Sequence, residues 1–145
     1  MIRTANSISD CEALAALAIK MWSSHTIDEL KQTFIDTINC KNAACFIKYC
    51  GNIPVGFAQC SLRHDYVEGT KSSPVGYLEG IFVDENFRGK GYAAELLKAC
   101  ESWAKDLGCA EFASDCDLQN TKSLRFHLAT GFEEAGRIIC FKKDI

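Results

Sequence analysis

The sequence predicts a single α/β (α+β) domain: one mixed β-sheet with helices on both of its faces. Three observations predict it. The predicted elements run in the order two helices, three strands, helix, strand, helix, strand. Apolar residues recur at helical spacing in the first kind of segment, and the second kind are short apolar runs bounded by turn residues. The chain has 145 residues, which fits one domain spanning 1–145 with a sizeable core.

The first helix is expected to start near Ser9 or Asp10. Cys11, Leu14, Ala15, Ala18, Met21 and Trp22 then fall on one helical face. Thr26 and Glu29 form a capping box for a second helix, with Ile27, Leu30, Phe34, Ile35 and Ile38 as its apolar side. Residues Ala44 to Tyr49 read as a strand, Gly51-Asn52 as a hairpin turn, and Ile53 to Leu62 as the returning strand. A polar loop from Arg63 to Ser73 leads to a third strand, Val75 to Val83. After the turn at Asp84 to Phe87, a helix is expected from about Gly89 to Leu107, stopped by Gly108. A strand from Cys109 to Asp115, a helix from Asn120 to Thr130 and a final strand from Phe132 to Lys142 complete the chain.

Composition narrows the function classes. Apolar residues make up 48% and charged residues 24%, with a net charge of −3 and no basic cluster of the nucleic-acid-binding kind. No apolar run approaches the roughly 20 residues that span a bilayer, and the N-terminus lacks a signal-peptide core, so a cytoplasmic protein is expected. Nine cysteines are many, but their number is odd and no Cys-x-x-Cys pair occurs. Most, including Cys45, Cys60, Cys100 and Cys140, sit in apolar segments and read as buried reduced thiols rather than a disulfide framework or a metal site.

The most informative stretch runs from Val83 to Ala94. A strand enters a short turn, and a helix opens with Arg88, Gly89, Lys90, Gly91, Tyr92, Ala93 and Ala94. Backbone N–H groups at a helix start are unpaired and carry the positive end of the helix dipole. Small residues let a phosphate approach them, which favours a pyrophosphate. The spacing fits neither a Walker loop nor a dinucleotide fingerprint.

Arg88-x-x-Gly91-x-Ala93 resembles the Gln/Arg-x-x-Gly-x-Gly/Ala signature of the GNAT acyltransferase superfamily, and the element order resembles the GNAT fold throughout. The resemblance implies that this segment binds the pyrophosphate of acetyl-CoA. It also implies that Ile81, Phe82 and Val83 offer backbone groups to the pantetheine arm and thioester, and that Asn120 is a second cofactor-side element. Within the superfamily, Tyr66-Val-x-Gly-Thr, Ser73-Pro-Val-Gly-x-Leu-Glu-Gly-Ile and Glu111-Phe-Ala-Ser-Asp115 are similar to motifs of the aminoglycoside 6′-N-acetyltransferases. That likeness implies an aminoglycoside pocket lined by Trp22, Tyr66, Glu79 and Asp115. One departure is Gly136, where an acidic residue is expected; Glu133 and Glu134 are the nearby substitutes.

The residue chemistry agrees with this reading. Aminoglycosides are polycations, so their pocket should be acidic with flat aromatic walls. Glu79 stands inside an apolar strand, where a carboxylate is costly without a partner. It is the candidate base that frees the attacking amine, with Asp115 holding the ammonium or sharing the role. His127, seven residues after Asn120, is the candidate acid for the departing thiolate, against the alternative of a core histidine paired with a backbone carbonyl. A ping-pong route through Cys116 lacks a neighbouring histidine in the sequence. Transfer to another polyamine or metabolite amine, and a non-catalytic acetyl-CoA sensor, remain the rival readings. Neither a metal, a membrane nor a nucleic acid is an expected partner, whereas the apolar Ile138 to Lys142 segment suits pairing in a homodimer.

Overall fold

The computed structural model describes all residues, Met1–Ile145. Its five-stranded sheet has the order β1(Ile2–Thr4), β2(Ala43–Cys50), β3(Ile53–Arg63), β4(Val75–Val83) and β5(Phe112–Ser114). The first four strands are antiparallel neighbours, and β4 pairs with β5 in parallel. Helices α1(Ile8–Ala18) and α2(Ile27–Ile38) cover one face, while α3(Tyr92–Asp106) covers the other. Helix α4(Thr121–Ala129) follows β5. No helix is long and apolar enough to cross a membrane.

Each face closes its own core. On one side Cys11 and Leu14 of α1, Phe34 of α2, and Ile47 and Phe57 of the sheet are fully buried. On the other, Cys60 and Leu78 of the sheet meet Leu96, Leu97 and Cys100 of α3. Cys11, Cys45, Cys60 and Cys100 are completely enclosed and pack as small hydrophobes. Desolvation also pushes the Cys45 thiol well above its ordinary value, which keeps it protonated and unreactive.

Several boundaries move from their expected places for local reasons. Helix α1 starts earlier, at Ile8, because Ser7 and Asp10 cap it reciprocally. It ends at Ala18, so Met21 and Trp22 lie in the following turn, held by the 2.7 Å bond from the Trp22 N–H to the Ala18 carbonyl. The capping box of Thr26 and Glu29 opens α2 as expected, although Ile27 is exposed. Helix α3 begins only at Tyr92, since Gly89 and Gly91 adopt left-handed backbone with φ of 76° and 79°. Strand β5 is cut to three residues.

The final expected strand, Phe132 to Lys142, does not form within the chain. Residues 133–145 carry no regular structure and make no backbone hydrogen bond to the sheet. Ile138, Ile139 and Phe141 are more than four-fifths exposed, and Cys140 lies open with them rather than buried. A strand needs a neighbour to satisfy its N–H and C=O groups, and this segment has none in its own chain.

Candidate active site

The site lies where β4 and β5 part. Strand β5 accompanies β4 only from Gly76 to Leu78, so Ile81-Phe82-Val83 pairs with β3 alone and leaves one backbone edge open. A bulge sits at the same point. Gln59 of β3 faces Gly80 and Cys60 faces Leu78, which makes Glu79 the extra residue. Bulges interrupt alternation and redirect a side chain. Before this one, Leu78 faces α3; after it, Ile81 and Val83 face α3 and Phe82 faces α1. The carboxylate is thereby turned out of the core, which removes the burial cost that its place in an apolar strand suggests.

Glu79 is well partnered. Its Oε1 accepts from Ser61 Oγ at 2.6 Å, and Arg63 reaches both carboxylate oxygens from Nη2 at 3.1 Å. The Arg63 guanidinium carbon lies 3.4 Å from the centre of the Tyr77 ring. The Tyr77 hydroxyl in turn donates to Asp115. Burial pushes the Tyr77 hydroxyl up, with the Asp115 bond adding to the effect, so it stays a donor. Ser61, Arg63, Glu79, Tyr77 and Asp115 therefore form one continuous network. Sequence reasoning missed Ser61, Arg63 and Tyr77. The one available signal was an arginine ending a strand beside a strand that holds a glutamate.

Trp22 sits on the same face. Its ring stacks on Phe34 at 6.5 Å and meets Phe57 edge-on at 5.9 Å. A Cβ on Gly80 would lie 2.7 Å from the indole, so only glycine lets the ring rest against the residue after Glu79. Tyr66, three-quarters exposed, lines a cleft of about 790 Å³ together with Arg63, Tyr77, Asp115, His127 and Glu134. Glu133 and Gly136 border it as well, with Glu134 paired to Arg137. Asp65, Glu68 and Asp117 are exposed loop charges.

His127 is held on both ring nitrogens. Nδ1 lies 2.7 Å from the Ser123 carbonyl, which makes it the protonated nitrogen, and Nε2 lies 2.8 Å from Ser114 Oγ. Its ring also packs against Phe132 with centroids 5.0 Å apart. Asn120 caps α4 by accepting the Ser123 N–H at 3.0 Å. Cys116 is exposed beside Asp115 and borders the same cleft as His127.

The glycine-rich turn leaves backbone donors open at the start of α3. Gly91 caps α3 without any side-chain hydrogen bond, which leaves the N–H groups of Tyr92, Ala93 and Ala94 unpaired. A Cβ on Gly89 or Gly91 would meet no atom of the protein within 4 Å, so the space before these groups is open. Arg88 is anchored by a 2.8 Å bond from Nε to the Val83 carbonyl, tying the turn to the open end of β4. Lys48, almost buried, pairs with Glu95 and lies 4.3 Å from the centre of the Tyr92 ring, fixing the first turn of α3 to the sheet. Nothing in the structure gathers three His, Cys, Asp or Glu side chains around a metal position.

Comparison with known proteins places this arrangement. The Acetyltransferase (GNAT) family model matches residues 11–132. The aminoglycoside N(6′)-acetyltransferase type 1 of Salmonella typhimurium strain LT2 is 41% identical over 124 residues, covering 86% of each chain. That of Stenotrophomonas maltophilia is 39% identical over 139 residues, covering 94% of this chain and 89% of its own. The solved structure of AAC(6′)-Iy with the bisubstrate analogue CoA-S-monomethyl-acetylneamine superimposes with a TM-score of 0.95 at 39% identity, covering 100% of this chain and 98% of that one. A family model covering residues 11–132 and relatives at about two-fifths identity over most of their length show the family: the chain belongs to the acetyltransferase (GNAT) family and resembles its aminoglycoside 6′-N-acetyltransferases.

Proposed function

We propose that the protein transfers the acetyl group of acetyl-CoA to the 6′-amino group of aminoglycosides by direct attack, and so confers aminoglycoside resistance. The observation that carries this is the placement of two carboxylates, Glu79 and Asp115, in one network at the fork between β4 and β5, beside the open β4 edge. Relatives named for this activity share 39–41% of their residues with the chain.

Acetyl-CoA fits the residues present and supplies the acyl group as an activated thioester. The free N–H groups of Tyr92, Ala93 and Ala94 suit its pyrophosphate, with Arg88, Gly89, Lys90 and Gly91 forming the approach. The open backbone of Ile81, Phe82 and Val83 suits the arm, and an N–H near Phe82 is the donor available to the reacting carbonyl. Asn120, the cap of α4, is our further candidate for the cofactor side.

On the acceptor side Glu79 takes the proton from the amine, directly or through water, since an ammonium has no lone pair for attack. Asp115 holds a cationic group of the acceptor, and Trp22 and Tyr66 offer flat surfaces to its sugar rings. Of the two roles open to His127, its bonds to the Ser123 carbonyl and Ser114 favour the packed one over proton delivery. A Cys116 thioester route has little support, as the only histidine on this cleft is engaged at both nitrogens.

Valine at Gly91 is expected to raise the acetyl-CoA KM by about 10-fold or more. A β-branched side chain in left-handed backbone costs roughly 1–2 kcal/mol and would protrude into the anion approach. The acceptor KM should stay near the wild-type value, and steady-state kinetics with each substrate varied in turn checks this.

The active protein is, in our reading, a cytoplasmic homodimer. The cytoplasm holds the acetyl-CoA pool, and the unpaired apolar segment around Ile138, Ile139 and Phe141 suits strand pairing with a second copy. Removal of residues 137–145 should convert the dimer to monomer in sedimentation velocity; an unchanged dimer would disprove this route of assembly. A thiol-release assay with acetyl-CoA and 6′-amino aminoglycosides tests the activity itself. Turnover of spermidine but of no aminoglycoside would favour the polyamine reading.

A further inference from the structure

Resting on the acceptor reading above, we infer that Arg63 is a specificity-determining residue that occupies the acceptor's cation position and must be displaced when substrate binds. Arg63 ends β3 on the sheet face where Glu79 emerges, and it meets the carboxylate through Nη2 at 3.1 Å to each oxygen and through Nε at 3.3 Å. Its planar group lies over Tyr77, whose hydroxyl holds Asp115. One guanidinium thus pairs with the first carboxylate assigned to the acceptor and lies on the ring that holds the second; Arg63, Tyr77 and Asp115 line the cleft, and Glu79 joins them through Arg63. It has the charge, the planar donors and the aromatic platform that a bound ammonium and sugar ring would otherwise use.

The pair is suited to exchange. Its side chains are 42% and 31% exposed, and ion pairs so open to water contribute little net stability. Ser61 Oγ keeps Glu79 oriented when the guanidinium leaves, because it bonds Oε1 independently at 2.6 Å. Glu68 lines the same cleft and is an exposed carboxylate. In the free enzyme Arg63 then acts as a tethered competitor. Acceptors with several positive charges overcome it through Asp115 and the rest of the acidic wall, and a lone ammonium does not. The residue therefore sets a threshold on acceptor charge.

Arg63→Met keeps the stem over Tyr77 and removes the charge; Arg63→Lys keeps the charge. Tobramycin binding to each enzyme, measured by calorimetry with CoA present, is compared with the KM values for tobramycin and acetyl-CoA. The expected result is a tobramycin Kd and KM about 3- to 5-fold lower in Arg63→Met, an unchanged acetyl-CoA KM, and values between wild type and Arg63→Met in Arg63→Lys, which keeps the charge but not the planar, stacked group. In an Arg63→Met, Glu79→Gln double variant the gain in binding should vanish. Tobramycin binding unchanged or weakened in Arg63→Met, or an acetyl-CoA KM that shifts by the same factor, would overturn the role of Arg63 alone. A wild-type enzyme that neither binds nor acetylates tobramycin would overturn both this inference and the acceptor reading beneath it.

Discussion

Glu79→Gln is expected to lower kcat/KM for aminoglycosides by about 10²- to 10⁴-fold, the range set by loss of a positioned general base. Glutamine keeps the size of the side chain and can still accept from Ser61 Oγ, which isolates the chemical change from a packing change. It cannot take a proton, and it loses the charge that pairs with an ammonium. The defect should appear in kcat as well as in acceptor KM, while the acetyl-CoA KM stays near wild type, because the glycine-capped start of α3 is untouched. Steady-state kinetics with each substrate varied in turn checks this. Activity within about threefold of wild type would remove Glu79 from proton transfer.

The largest stability loss is expected at Phe57→Ala, about 3–5 kcal/mol. Phe57 is fully buried in the centre of β3 and forms the hub of an aromatic cluster. It meets Phe34 edge-on at 5.7 Å and Trp22 at 5.9 Å, and it lies 6.3 Å from Phe82. Truncation removes apolar contact and leaves a void that strand and helix backbones cannot readily close. The loss is a large share of the roughly 5–15 kcal/mol that holds a typical domain together. Chemical denaturation should show a lower midpoint with little change in slope. Because Phe57 supports both Trp22 and Phe82, the variant should also bind acceptor more weakly at temperatures where it remains folded. A loss below about 1 kcal/mol would mean that the core repacks around the gap.

Much of this architecture follows from local sequence pattern. Helical spacing predicts a buried side of α3 made of Ala93, Leu96, Leu97, Cys100, Ala104 and Leu107; Leu96, Leu97, Cys100 and Ala104 are buried, while Leu107, at the helix end, is exposed. The glycines at 89 and 91 mark the turn that opens α3. The capping box at Thr26 opens α2 where its residues say it should. What escaped detection depends on contacts distant in sequence. Strand β1 has only three residues and exists because β2 lies beside it. The bulge that expels Glu79 is a register relation between two strands, so strand β4 alone shows only an anomalous carboxylate. Arg63 reads from the sequence as the start of a loop, and its pairing with Glu79 spans sixteen positions between β3 and β4. The C-terminal segment shows the opposite failure: its apolar residues predict a strand from Phe132 to Lys142, but no edge of the same chain receives it and none forms.

The central claim is that the network of Glu79, Arg63, Tyr77 and Asp115, with Trp22 and Tyr66 as flat surfaces for sugar rings, receives the 6′-amine of an aminoglycoside rather than a ring-free polyamine. Its most direct test is thiol release from acetyl-CoA with tobramycin, kanamycin and spermidine as parallel acceptors, with mass spectrometry locating the acetyl group. The account predicts rapid turnover of both aminoglycosides with acetylation at the 6′-amine, and little or none of spermidine. Absence of turnover with every 6′-amino aminoglycoside, or acetylation at another amine, would contradict it.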